Sequence, residues 1–144
     1  MPTDSRPYVV ITADTHAGAA IDVYREYLDP DQRPDFDAWR GRYRNPSAKH
    51  VGGKKTKNWD SAERLADLER DGVVGEVIFP KKVPPFYDTD FHIAPPPTPE
   101  QYPRWLAGTR AHNRWLAEFC AEAPARHPVR AGPGPGHGVV HRPG

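Results

Sequence analysis

Asp60-Ser61-Ala62-Glu63-Arg64-Leu65-Ala66-Asp67-Leu68-Glu69-Arg70-Asp71-Gly72-Val73-Val74-Gly75-Glu76-Val77-Ile78-Phe79-Pro80 is the stretch whose reading decides the fold class. Its first half reads as a helix, expected from Asn58 to Gly72. Asp60 offers a carboxylate cap, and Glu63 three residues on completes a D-x-x-E pattern of the capping-box kind. Ala62, Leu65, Ala66 and Leu68 make a short apolar stripe. Gly72 stands where a left-handed residue ends a helix. Val73 to Phe79 then reads as an apolar strand closed by Pro80. A capped helix passing through one glycine into such a strand is the second half of a βαβ unit. A first strand is available at Tyr8-Val9-Val10-Ile11-Thr12-Ala13, apolar and rich in β-branched residues, which reads as buried. The two runs lie too far apart for a hairpin, so parallel pairing with a right-handed crossover is expected. The class is α/β.

The first strand runs directly into Asp14-Thr15-His16-Ala17-Gly18. In an extended segment residues i and i+2 point to the same side, so Asp14 and His16 can face one point. The carboxyl ends of strands are where barrels and doubly wound sheets place their chemistry. An aspartate oxygen and a histidine nitrogen are ordinary ligands of a divalent transition metal. The pair is the start of such a site and not the whole of one. The same residues also suit an aspartate capping the turn after the strand, with a solvated histidine beside it.

With 144 residues the chain is one domain at most. Its 37% apolar residues fall below a typical domain's share, and its 18 prolines more than double the usual load, which predicts long loops. The net charge of +1 gives no global field to attract nucleic acid or a membrane surface. A single cysteine, Cys120, excludes a disulfide framework and fits a reducing compartment. The N-terminus lacks the features of a signal peptide, and no stretch approaches the roughly 20 apolar residues of a membrane span. A cytoplasmic protein acting on a small molecule is expected.

Ala19 to Leu28 carries Ile21, Tyr24 and Leu28 at helical spacing and stops at Asp29-Pro30. A second helix is expected around Pro34 to Tyr43, with Phe36, Trp39 and Tyr43 facing the core. From Arg40 to Lys57 the chain has seven Lys or Arg and no acid. That segment reads as a solvated loop in preference to a phosphate or nucleic-acid strip, because aromatics are not regularly interleaved in it. Lys81 to Pro97 is a proline-rich loop leaving the second strand. In it Phe86, Tyr87 and His92 are candidates to line a substrate pocket, against the plainer reading of a stiff surface loop. Thr98-Pro99-Glu100-Gln101 looks like a helix start, with Pro103 as an alternative. Trp105, Leu106, Trp115, Leu116, Phe119 and Cys120 then mark an amphipathic helix from Arg104 to Ala123 that covers a sheet. His112 and Asn113 are expected on that helix's surface. In Pro124 to Gly144, ten of 21 residues are proline or glycine, and His127, His137 and His141 sit in a stretch expected to be disordered.

With these segments placed, the chain resembles the amidohydrolase-related family of metal-dependent hydrolases and decarboxylases, the "amidohydrolase 2" group. The resembling pieces are Ile11 to Gly18, Asn58-Trp59-Asp60 through Gly72 to Pro80, Val83-Pro84-Pro85-Phe86-Tyr87, and Arg110 to Cys120. The resemblance implies a (β/α)8 TIM barrel of which residues 1–123 carry only the N-terminal part, since a full barrel needs about 250 residues. It implies that Asp14 and His16 are the first ligands of zinc, or of manganese or iron. Such an ion activates a water for hydrolysis, or polarises the substrate in members that remove a carboxylate. The histidines and final aspartate that complete the family's site have no counterpart here. Where the family continues into a third strand after Cys120-Ala121-Glu122-Ala123-Pro124, this chain has its Arg, His, Pro and Gly tail. Residues 124–144 are therefore expected to be out-of-frame translation. An incomplete barrel leaves strand edges exposed, so self-association and impaired catalysis are expected. The alternatives are a non-catalytic fragment, or a small binding module built on the basic 40–57 loop.

Overall fold

Two strands pair in parallel at the centre of the chain: β1, Val10–Ala17, and β2, Val73–Pro80. The computed structural model describes residues 8–44, 59–80, 84–88 and 94–124. After β1 a 3₁₀ turn, Ile21–Val23, leads into the single helical turn α1, Tyr24–Tyr27. A second 3₁₀ turn, Pro30–Gln32, leads into α2, Arg33–Arg42. The helix expected over Ala19 to Leu28 is thus shorter, because Ala20 is still extended and Leu28 already is again. α3, Ser61–Arg70, precedes β2, and α4, Tyr102–Ala121, closes the described part.

The α3-to-β2 passage follows its local signals. The Asp60 carboxylate accepts a hydrogen bond from the Glu63 amide at 2.9 Å, and Gly72 takes φ +68° after the last turn. The buried face of α3 is another matter. It consists of Ser61, Arg64 and Leu68, whereas Ala62 and Ala66 are exposed. The helix is turned to deliver Arg64 to the sheet, where Glu76 waits in β2.

β1 runs past Ala13 to Ala17, so Asp14 and His16 lie within the strand and not in a turn after it. Across the pair, Thr12 faces Glu76 and Thr15 faces Ile78, which leaves one extra residue on β1 between them, a bulge. The expectation of a buried first strand is corrected at its start. Tyr8 is 96% exposed and Ile11 60% exposed. The reason is where the cover lies: Ala17, Ala19 and Ile78, at the carboxyl end of the sheet, pack with Tyr24 of α1 and Leu116 and Phe119 of α4. As its apolar stripe suggested, α4 does cover the sheet.

A second cluster joins Leu28, Phe36, Trp39, Phe86 and Ala111. Phe86 enters it from a tight turn in which the Tyr87 amide donates to the Pro84 carbonyl at 3.3 Å. Proline at the second position and φ +69° at Phe86 make this a type II turn, whose third position usually holds glycine. A phenylalanine is held there because its ring meets Phe36 edge-on at 5.9 Å and Trp39 at 5.7 Å. Pro85, fully buried, lies against α4 at Gly108. A Cβ at position 108 would strike the Pro85 carbonyl oxygen and come within 2.9 Å of its carbon. Because backbone must give way, Gly108→Ala is expected to lower stability by about 2 kcal/mol, as overpacking of a filled interior does. Urea denaturation checks this; an unchanged midpoint would mean that helix and turn do not bear on each other.

Candidate functional site

Three interactions hold the carboxyl end of β1. Thr15 Oγ1 donates to the Val77 carbonyl at 2.9 Å, His16 stands opposite Phe79, and the His16 carbonyl accepts from Arg64 Nη1 at 3.1 Å. On this segment Asp14 and His16 face each other, with His16 Nε2 3.9 Å from Asp14 Oδ1. The i, i+2 reading of the sequence is therefore met in geometry. His16 Nδ1 lies 2.9 Å from the Pro80 carbonyl oxygen. A carbonyl only accepts, so Nδ1 carries a proton, and in the neutral ring Nε2 then presents its lone pair on the Asp14 side. Metal-binding histidines are commonly held in this way, with one nitrogen tied to a carbonyl and the other free to ligate. The Asp14 side chain is 96% exposed and that of His16 40%, so both are open to a solute.

An oxygen and an imidazole nitrogen suit a divalent ion such as zinc, and the fixed tautomer of His16 fits that role. The set stops at two. A catalytic zinc site normally has three protein ligands, and among the described residues no group of three or more His, Cys, Asp or Glu side chains converges. Cys120 adds nothing to it. It is buried, and burial pushes its thiol up to about 11, keeping it un-ionised and poor both as ligand and as nucleophile.

Phe86 and Tyr87 are placed elsewhere, in the cluster of α2 and α4. Phe86 is buried, and Tyr87 is half-buried with its ring stacked on Trp105 at 4.1 Å. His92, most of the basic Arg40 to Lys57 segment and His127, His137 and His141 lie outside the described residues.

His112 overturns its expected place on the helix surface. It is 2% exposed, and its Nδ1 lies 2.8 Å from the Tyr24 hydroxyl, which also accepts from the Ala19 amide at 2.9 Å. The helical spacing that buries Gly108, Ala111, Trp115, Leu116, Phe119 and Cys120 buries His112 with them. The feature sequence reasoning passed over is the buried pair of Arg64 and Glu76, whose signal was a glutamate inside an otherwise apolar strand.

No family model matches this chain, and neither does any curated protein or solved structure. Among the described residues no helix is long and apolar enough to cross a membrane.

Proposed function

We propose that Asp14 and His16 are the first ligands of a divalent metal site in a hydrolase, or a related carboxy-lyase, of the amidohydrolase-related kind. The observation that carries this is His16: its Nδ1–H is tied to Pro80 and its Nε2 turns toward Asp14 at the carboxyl end of a parallel strand. The parallel pair connected through α3 is the repeating unit of a (β/α)8 barrel, and we read β1 to α4 as part of one. The bound ion, zinc or else manganese or iron, supplies a Lewis acid that lowers the pKa of a water or polarises a substrate oxygen. The chain's own residues do the holding. Pro80 fixes the imidazole, Thr15 pins the strand between the two donors, and the exposed Asp14 carboxylate brings a negative charge. The substrate is a small organic molecule. The exposed apolar start of β1 supports self-association of the chain through that edge.

The test is a titration of the full chain with Zn²⁺, followed by assay of small amides, lactones and aromatic carboxylic acids with and without chelator. Binding that weakens at least tenfold in His16→Ala and in Asp14→Ala is expected, with turnover lost on chelation. Equal Zn²⁺ uptake by wild type and His16→Ala would sink the proposal. Site-dependent binding without turnover would favour a second reading, a metal-binding but non-catalytic protein, which the two-donor set supports.

A further inference from the structure

Arg64 and Glu76 hold opposite charges in the interior, their side chains 8% and 1% exposed. The guanidinium forks onto the carboxylate, Nη2 to Oε2 at 2.7 Å and Nε to Oε1 beside it, and sends Nη1 to the His16 carbonyl at 3.1 Å. A buried pair of this kind contributes little stability over apolar side chains of the same size, because desolvating both charges offsets their attraction. Stability therefore does not account for its presence. Its direction does. The third nitrogen ends on the backbone of the histidine that faces Asp14. That histidine also needs external support, because the β1 bulge between Thr12 and Thr15 interrupts the regular pleat just before it.

We infer that Arg64, oriented by Glu76, is a positioning residue for His16: it fixes the peptide from which the imidazole reaches Pro80 with one nitrogen and the Asp14 side with the other. The consequence for metal affinity rests on the proposed role of Asp14 and His16. The consequence for ring orientation stands on the geometry alone.

The test uses the full chain in four forms: wild type, Arg64→Met with Glu76→Met, Arg64→Lys, and His16→Ala. The double variant removes both charges together and leaves neither uncompensated. The readouts are the ¹⁵N shifts of the metal-free His16 imidazole, which report its tautomer, and Co²⁺ affinity from visible ligand-field bands. In the double variant His16 is expected to lose its single Nδ1–H tautomer and Co²⁺ binding to weaken about 10- to 100-fold, while the urea midpoint stays near wild type. Arg64→Lys is expected to fall between, since an ammonium cannot hold the carboxylate fork and the carbonyl at once. Wild-type tautomer and affinity in the double variant overturn the inference. If wild type binds no Co²⁺, the metal reading fails by itself; a tautomer change in the double variant then still upholds the positioning role, and an unchanged tautomer ends it. If the double variant does not fold, Arg64→Lys decides in the same way.

Discussion

Glu76→Ala is expected to cost about 4 kcal/mol of folding free energy, close to the whole stability of a small domain at the lower end of the usual range. The size follows from what is left behind. Glu76 is 1% exposed, and both its carboxylate oxygens accept from the Arg64 guanidinium. Without it the Arg64 cation loses its paired carboxylate in a low-dielectric interior, where its bond to the His16 carbonyl brings no opposite charge. Guanidinium groups stay charged at any pH a folded protein meets, so the charge persists. Replacing both residues by methionine removes the stranded charge and is expected to restore all but about 1 kcal/mol. Urea denaturation of the single and double variants measures the difference. A single variant within about 1 kcal/mol of wild type would show that Arg64 swings out to solvent when its partner is lost.

The same pair shows which parts of this fold could be read from the sequence. Helix α3 and strand β2 were legible because their signals are local: a cap at Asp60, a left-handed glycine at position 72 and a β-branched run after it all act within one turn of themselves. The facing of Asp14 and His16 was legible for the same reason, since it needs only the two-residue period of a strand. The length of β1 was not. Whether it ends at Ala13 or goes on to Ala17 depends on Ile78, Phe79 and Pro80 pairing with it, partners more than sixty residues away. Burial was missed for two polar side chains whose partners are distant. Arg64 needed Glu76, and His112 needed Tyr24, before either could leave water. Conversely, Tyr8 and Ile11 are apolar but exposed, since hydrophobicity alone does not say where the helices lie.

Acidification from pH 7 to about 4 is expected to remove about 3 kcal/mol of stability through His112 alone. Burial holds its imidazole down to about 4 in the folded chain, against an ordinary value of 6.5. The unfolded chain therefore takes up a proton as pH falls below 6.5 while the folded chain does not. Stability from this group is present in full above pH 6.5, declines through the interval and is exhausted below about 4. The hydrogen bonds oppose protonation as well. Tyr24 Oη accepts from the Ala19 amide and lies 2.8 Å from His112 Nδ1, a contact the neutral ring makes with either its own Nδ1–H or the hydroxyl proton. Nε2 is buried without a hydrogen-bond partner among the described residues, so a ring protonated on both nitrogens would bury an N–H there with no acceptor among them. Carboxylates titrate in the same range, so the measurement is a comparison: urea midpoints of wild type and His112→Leu at pH 7.5, 5.5 and 4.5. The variant loses a share of stability at neutral pH, where the Tyr24 hydroxyl loses its contact with His112. Its midpoint should then fall less steeply with acid, so that the two curves converge near pH 4. Parallel curves would mean that His112 titrates as it would in water and is not enclosed by Tyr24 and Trp115.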